Sequence, residues 1–303
     1  MKFVVCNLCG SDQSRELYPA TLPEARTAMA GSAFLCTSPD YGQHYRLVQC
    51  IRCGFVYANP RGEEREVLQA YEAVEDPLYL QERAGREITF RQHLALLHRV
   101  TGAPHGRRLL DVGAYVGVFV EVAQAAGWRA EGIEPSLWAV RQAQRRGLTV
   151  RQGTLASGDW PDESFDAITM WDVIEHFADP SNELCQAFRL LKPGGVIVVH
   201  TIDIESITAR VMGKRWPFLM EMHVMFFSRA TLRAMLEKAG FDYVRDHTQG
   251  RYLRLGYLAG RVRAAFGPAV GGPIEWLIAK LNLSGYPVPI NTLDLFTAYA
   301  KKR

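Results

Sequence analysis

Apolar positions change their spacing twice along the chain. Between about residues 62 and 100, Val67, Leu68 and Tyr71, then Ile88, Leu94, Leu97 and Val100, recur roughly three or four positions apart between charges. That is the period of a helix buried on one face, and Pro104 and Gly106 end it. From 107 onward, short apolar runs alternate with amphipathic stretches. The runs predict strands at 107–112, 129–134, 148–152, 165–171, 196–202, 242–248 and 292–300, and the stretches predict helices at 117–127, 136–146, 181–191 and 229–239. Strands that alternate with helices of this length are joined by crossovers. The predicted fold class is therefore α/β, with a mostly parallel seven-stranded sheet covered by helices on both faces. Lys192-Pro193-Gly194-Gly195 predicts a tight turn into the strand at 196, because glycine takes positive φ without a Cβ penalty. Residues 1–60 show only weak periodicity and carry Pro19, Pro23, Gly31, Ser32 and Pro39. A segment of that kind needs a staple.

These patterns divide the chain into an N-terminal unit at 1–60, a helical connector or cap at 61–106 and a main domain at 107–303. Two insertions, 203–228 and 250–291, interrupt the main alternation. Insertions on an α/β scaffold often build substrate pockets. The second places Arg251, Arg254, Arg261 and Arg263 among apolar residues. Two readings stand for these arginines: a solvated helix face, or a patch that reads an anionic acceptor.

The staple is legible in the cysteines. Cys6, Cys9, Cys50 and Cys53 form two matching units, CNLCG and CIRCG, separated by 40 residues. Each pair sets two sulfurs on one tight turn, with Gly10 and Gly54 where the backbone turns through positive φ. Four thiolates make the closed set expected of structural zinc, with no open position for catalysis. Cys36 and Cys185 read as small buried residues and His44 as a possible substitute ligand.

Composition narrows the rest. At 48% hydrophobic and 22% charged residues, the chain is an ordinary globular protein, and a net charge of +3 does not call for a polyanionic partner. No run of about 18 apolar residues predicts a membrane span. The apolar stretch at Met1–Val5 is too short for a signal peptide, so the expected compartment is the cytoplasm.

Candidate chemistry begins at Asp111-Val112-Gly113-Ala114-Tyr115-Val116-Gly117, a loop between a predicted strand and helix. A ligand in an open parallel sheet binds beyond the carboxyl ends of the strands. Gly113 and Gly117 allow close backbone approach there, and the next strand ends in Glu134-Pro135, Glu134 lying 23 residues after Asp111. An acid at that distance accepts hydrogen bonds from ribose hydroxyls. The loop lacks the G-x-G-x-x-G spacing that cradles a pyrophosphate, so a ribose without phosphates fits better. S-adenosylmethionine offers a ribose for Glu134, an ammonium for Asp111 or nearby carbonyls, and a carboxylate for the helix N-terminus.

In order, LLDVGAYVGVFVEVA, GIEPS, SFDAITMWDVIEHFADP and LLKPGGVIVVHT resemble the core of class I S-adenosylmethionine-dependent methyltransferases over roughly residues 107–250. The resemblance is closest to the group that includes the ubiquinone-biosynthesis O-methyltransferases. The N-terminal cysteine units are similar to members that carry a zinc-binding domain and act in sugar, polysaccharide and natural-product pathways. A Rossmann-like fold is implied, with Thr154 and Leu155 beside the adenine and Trp171, Asp172 and Val173 on the methyl-donor side. Tyr115 departs from the family's usual glycine. It is expected to keep an allowed backbone conformation and shape the pocket with its ring. Trp138, Tyr79 and Arg83 are further expected neighbours of the cofactor.

A hydroxyl acceptor benefits from a base, and histidine suits neutral pH. His176 falls just past the fourth strand. His223, with Glu221, lies in a segment that supplies acid/base residues in the related sugar methyltransferases. His200 reads as structural. The resulting expectation is methyl transfer, to oxygen or carbon, on a sugar, nucleotide-sugar or secondary metabolite, with the acceptor anionic or sugar-linked. An RNA methyltransferase is the alternative, disfavoured by the few lysines and arginines in 1–60. A cofactor-binding scaffold without turnover is a third reading.

Overall fold

The computed structural model describes residues 1–22, 35 and 42–303. The N-terminal unit contributes β1 (Ser14–Tyr18), β2 (Leu47–Cys50) and β3 (Val56–Ala58). The connector forms α1 (Glu64–Glu72), α2 (Pro77–Gln81) and α3 (Arg83–Thr101). Asp76 caps α2 by accepting from the Tyr79 amide, and Gly102, at φ 76°, stops α3. The main domain then runs β4 (Arg108–Val112), α4 (Val118–Ala125), β5 (Arg129–Glu134), α5 (Leu137–Arg145), β6 (Val150–Gln152), β7 (Phe165–Trp171), α6 (Pro180–Leu190) and β8 (Leu191–Ile202). After α7 (Ile207–Met212) and the short β9 (Met225–Phe226) come α8 (Arg229–Lys238), β10 (Phe241–Thr248) and β11 (Arg251–Arg254). The chain closes through α9 (Leu255–Phe266), α10 (Pro268–Lys280), β12 (Pro287–Ile290) and β13 (Leu295–Lys302).

Seven strands form the main sheet in the order β10-β13-β8-β7-β4-β5-β6. All pairs from β8 to β6 are parallel, and β13 alone runs against its two neighbours. Its central strands are buried on both faces, Leu109, Leu110, Ala167 and Ile168 having no exposed surface. That explains why they appear as continuous apolar runs rather than alternating ones. Strand order reverses at β4, which lies between β5 and β7, so the carboxyl end of β4 is the switch point where such sheets open a crevice.

Lys192–Gly195 does not form a separate turn. Phe165 pairs with Leu191 and Ala167 with Val196, so four residues bulge out while β8 is already under way, and Gly194 supplies the positive φ of 75°. The N-terminal unit is not self-contained either. Its antiparallel sheet runs β1-β2-β3-β9, the last strand coming from the insertion at 203–228, with Val56 opposite Phe226 and Tyr57 opposite Met225. Phe55 packs on Phe227 at 5.1 Å between ring centroids, and the Arg61 guanidinium donates to the Ala178 carbonyl at 2.6 Å. The insertion at 250–291 is a helical pair, α9 and α10, framed by the β11–β12 ribbon. Arg254 anchors it by an ion pair with the buried Glu82 at 2.5 Å.

Candidate active site

A cavity of about 1130 Å³ opens beyond the carboxyl ends of β4, β5, β6 and β7. On one side its wall is Asp111, Gly113, Ala114, Tyr115, Glu134, Pro135, Thr154, Leu155, Trp171, Asp172 and Val173. The strand ends therefore bring together nearly all the residues expected from the glycine-loop pattern and the family resemblance. Gly117 is one exception. A Cβ there would meet Leu148 Cδ1 at 2.7 Å and Ala143 Cβ at 3.3 Å, so this glycine lets the start of α4 pack against the α5–β6 segment rather than face the cavity. Gly113 has its own constraint: at φ 69°, its missing Cβ would stand 2.5 Å from Val173 Cγ2.

Tyr115 answers the departure from glycine. It adopts φ 49°, the left-handed conformation that a glycine would supply, at a cost of order 1 kcal/mol. The residue therefore takes up a sparsely populated backbone conformation instead of avoiding it. Its amide donates to Glu134 Oε2 at 2.9 Å, and its ring meets Tyr79 edge-on at 4.4 Å between centroids. Arg86 lies over the Tyr79 ring at 3.7 Å and lines the cavity, whereas the expected Arg83 pairs with Glu87 and Glu121 instead. Trp138 packs 6.1 Å from Tyr115 behind the cavity wall.

Two of the acids on this wall, Asp111 and Glu134, are held by neutral donors. Glu134 accepts from the Tyr115 amide and, at 2.8 Å, from the Ser136 amide; Asp111 accepts from Thr169 Oγ1 at 2.7 Å. Neither has an ion-pair partner among the described residues. Burial pushes the Asp111 carboxyl up to about 8, the Glu134 charge adding to the rise, and burial alone pushes Glu134 up to about 7. Buried carboxylates that face a cavity with only neutral donors fit a ligand carrying a positive charge and hydroxyl donors. S-adenosylmethionine has both, so the residues present suit it.

A pH dependence follows. An ammonium near Asp111 and ribose hydroxyls on Glu134 favour the ionised carboxylates, so binding lowers both pKa values and releases protons. Affinity for S-adenosylmethionine is expected to rise with pH up to about 8, by no more than roughly tenfold per unit for each group, and to level off above it. Calorimetry in buffers of different ionisation enthalpy measures the released protons; proton uptake, or a flat affinity between pH 6 and 8, contradicts the assignment.

Further into the cavity, Glu175, His176 and His223 come together. A 3-10 turn at Ile174–His176 carries the first two past β7, and the Val224 amide donates to the Glu175 carbonyl at 3.0 Å, binding the insertion to that turn. His176 Nδ1–H donates to the Met222 carbonyl at 2.9 Å and His223 Nδ1–H to the Phe218 carbonyl at 2.8 Å. A carbonyl only accepts, so each neutral ring carries its lone pair on Nε2. Thr201 Oγ1 donates to Glu175 Oε2 at 2.8 Å. Burial, then the Asp172 charge, raises the Glu175 carboxyl, and burial holds both imidazoles below their ordinary value. Glu221 is buried but does not line the cavity, where His223 stands with Glu175 and His176.

Asp172, in the left-handed region at φ 53°, joins this group to the second insertion. Its Oδ1 lies 3.6 Å from Arg251 and 3.7 Å from His200. Burial acts to raise this carboxyl, but Arg251, His200, His93 and Arg86 together outweigh it and hold it below the usual range. His200 is buried in β8 with Nδ1 at 2.8 Å from Thr297 Oγ1, a structural place as expected. Trp171 both packs on Phe119 at 5.0 Å and lines the cavity. The four arginines of the insertion separate: Arg251 and Arg261 line the cavity, Arg254 holds Glu82, and Arg263 pairs with Glu275. Arg215, which the sequence pattern did not single out, also lines it.

The four cysteines converge at the edge of the N-terminal sheet. Cys6 and Cys53 Sγ are 3.5 Å apart, as are those of Cys9 and Cys50, and all four lie within 4.8 Å of one another. Sulfurs at about 2.3 Å from one tetrahedral ion stand about 3.8 Å apart. Gly10 and Gly54, at φ 74° and 76°, close the two turns by donating to the Cys6 and Cys50 carbonyls. His44 is bonded through Nδ1 to the Tyr45 carbonyl and stands outside the cluster. Cys185 is exposed rather than buried, since it falls on the outer face of α6, and Cys36 lies outside the described residues.

This fold and cavity define a cofactor-binding α/β domain, and comparison gives its family. A methyltransferase-domain family model matches residues 81–246, more than half of the 303-residue chain. The chain belongs to that family and carries an S-adenosylmethionine-dependent methyltransferase domain. It is similar to an S-adenosylmethionine-dependent methyltransferase of Mycolicibacterium smegmatis, 30% identical over 155 residues, covering 50% of this chain and 59% of the relative. A ubiquinone biosynthesis O-methyltransferase of Alkalilimnicola ehrlichii is 35% identical over 111 residues, covering 34% and 44%. A tRNA U34 carboxymethyltransferase of Methylococcus capsulatus is 31% identical over 156 residues, covering 46% of each. The matches thus span about half the length of these relatives. Among solved structures, the YcgJ protein of Bacillus subtilis shares the fold, with a TM-score of 0.50 at 20% identity, covering 70% of this chain and 98% of that one. No helix among the described residues is long and apolar enough to cross a membrane.

Proposed function

We propose that this chain transfers a methyl group from S-adenosylmethionine to an oxygen or carbon nucleophile on a small acceptor with an apolar body and an anionic group. The single observation that carries the reading is one cavity with two chemically different ends. Asp111 and Glu134, buried and with no ion-pair partner among the described residues, suit the cofactor, and Glu175, His176 and His223 suit an acceptor that must lose a proton. When bound, S-adenosylmethionine supplies an electrophilic methyl on a sulfonium. The chain's own residues then position and deprotonate. Glu134 and the Tyr115 ring fix the nucleoside side, Asp111 holds positive charge, and the Glu175–His176–His223 end takes the acceptor's proton.

Met212, Phe218 and Leu258 line the same cavity with Arg215 and Arg261. Apolar walls with guanidinium groups suit a phenolic acid, a sugar phosphate or a nucleotide-sugar. Under this reading Cys6, Cys9, Cys50 and Cys53 hold a structural zinc ion, and the unit at 1–60 buttresses the acceptor end.

The test is S-adenosylhomocysteine formation across a panel of these acceptors, their uncharged analogues and transfer RNA. Arg261→Gln is expected to raise KM for the anionic acceptor about tenfold, the worth of one charge-assisted hydrogen bond, and to leave cofactor affinity unchanged. Turnover confined to transfer RNA would replace the small-molecule reading with the nucleic-acid one.

A further inference from the structure

Arg251 stands between the two ends of the cavity with donors that the fold leaves unused. Along β11 the side chains alternate. Arg251 and Leu253 line the cavity, while the Tyr252 amide donates to Thr89 Oγ1 at 2.7 Å and Arg254 pairs with Glu82. The ribbon is thus fixed to the connector, and Arg251 is set inward. Its neighbours on the insertion have acceptors: Arg254 donates to Glu82, and Arg261 donates to Tyr257 Oη. Arg251 Nη2 is buried and has no hydrogen-bond partner among the described residues. Asp172 Oδ1, at 3.6 Å, is near enough for an ion pair and too far for a hydrogen bond. A guanidinium only donates, so these buried N–H groups call for an acceptor atom from a ligand.

The surroundings identify that atom. On one side is Asp172, at the end of β7, on which the charges of Arg251, His200, His93 and Arg86 all act. On the other, Arg251 lies 6.0 Å from the Phe218 ring, Phe218 stacks on His223 at 6.1 Å, and His223 is 4.9 Å from His176. The Arg251 charge also reaches Glu175 and His223. The guanidinium therefore stands at the junction of the methyl-donor wall and the acid–histidine group.

We propose that Arg251 is a catalytic residue that holds the acceptor's reacting oxygen as an oxyanion, so that the nucleophile is the ionised form of an acidic hydroxyl. The proposal rests on the reading that this cavity joins cofactor and acceptor, and it assigns the negative charge that proton removal creates. The hydroxyl proton passes to the Nε2 lone pair of His176 or His223, and the charge left on oxygen is met by the guanidinium. The oxygen–methyl bond then forms as the carbon–sulfur bond breaks, and sulfur keeps the electron pair. A phenolic hydroxyl with its ordinary pKa near 10 is ionised to roughly one part in a thousand at pH 7. A cation beside it makes it more acidic and so raises the reactive fraction. Methylation removes the negative charge, which loosens the guanidinium's hold on the product.

The first test uses full-length protein saturated with S-adenosylhomocysteine, and 4-nitrophenol as the probe, because its phenolate is yellow and its phenol is not. Bound 4-nitrophenol is expected to ionise at least about one pH unit below the free compound. Arg251→Gln is expected to abolish that shift while the thermal melt and S-adenosylhomocysteine affinity persist. Arg251→Lys, which keeps the charge, is expected to restore part of it. The second test is kinetic, with an acceptor from the panel above. Arg251→Gln is expected to lower kcat about tenfold at pH 7 and to move the acidic limb of the pH profile up by about one unit. KM should change by less than about threefold, because the acceptor binds mainly un-ionised at that pH, and the deficit should close once alkaline pH ionises the acceptor unaided. No binding of 4-nitrophenol, a bound probe that ionises like the free one, or a shift that survives Arg251→Gln overturns the proposal. So does a rise in KM with an unmoved limb, which would make Arg251 the reader of a non-reacting anion. Failure to bind S-adenosylhomocysteine at all would instead defeat the cofactor reading, while the 4-nitrophenol titration, run without it, would still decide the role of Arg251.

Discussion

Replacing Glu134 by glutamine is expected to weaken S-adenosylmethionine binding about a hundredfold and to leave the fold intact. The carboxylate does two jobs. It accepts from the amides of Tyr115 and Ser136, which fixes the loop after β4 against the end of β5, and it faces the cavity with no ion-pair partner among the described residues. Glutamine has the same shape but only one acceptor oxygen and no charge. One amide loses its acceptor and the ribose hydroxyls lose a charged one. Two such losses, each of order 1–2 kcal/mol, amount to about 3 kcal/mol, or two decades in Kd. Stability moves the other way. Burial raises this carboxyl to about 7, so ionising it at higher pH opposes folding, and the neutral amide removes that penalty. Paired calorimetry and thermal melts at pH 8 check the prediction. A large drop in melting temperature would mean that Glu134 is chiefly a structural acid; unchanged affinity would mean that the ribose lies elsewhere.

Under the proposed zinc reading, stripping metal from the cysteine site, or replacing Cys50 and Cys53 by serine, is expected to lower acceptor turnover at least a hundredfold while changing cofactor affinity by less than about threefold. A structural zinc ion contributes folding energy on the order of 10 kcal/mol to the small unit that holds it. Here Cys50 ends β2 and Cys53 lies in the turn that leads to β3. β3 pairs with β9, the Ala58 amide donates to the Val224 carbonyl at 2.9 Å, and His223 is the next residue back along the chain. Loss of the metal therefore releases the strand that fixes an acceptor-side histidine. Asp111 and Glu134 sit on the main sheet, which has its own core. Hydrogen exchange over 224–227 should accelerate with the loss of turnover. Cofactor affinity falling in step with turnover would show that the N-terminal unit supports the whole fold; undiminished turnover would remove it from the acceptor end.

Physical reasons separate what could be read from the sequence and what could not. The strands at 129–134 and 165–171 are matched to the residue: Gly127 and Pro135 bracket the first, and the second is mostly apolar from Phe165 to Trp171. Glu134 was legible from its distance to Asp111, since one crossover fixes how far apart neighbouring strand ends fall. The two-residue β9 was not legible. A strand that short has no period, and its partner lies about 170 residues away. Glu175 was missed for the same reason: in the string Ile-Glu-His it looks like a surface acid, and only the insertion folding over it makes it buried. Arg86 in place of Arg83 reflects the start of α3, which turns the earlier arginine toward Glu121 on α4. Gly117 resembles a ligand-contacting glycine in the loop pattern, yet its open space belongs to the α5–β6 packing.

The central claim is that the cavity at the ends of β4, β5 and β7 is an S-adenosylmethionine site with Tyr115 in place. Calorimetric titration of zinc-loaded protein with S-adenosylmethionine, at pH 8 in two buffers of different ionisation enthalpy, tests it most directly. The account predicts saturable one-to-one binding with net proton release. No binding by the folded, zinc-loaded protein would contradict it, because the left-handed tyrosine would then close the pocket rather than shape it.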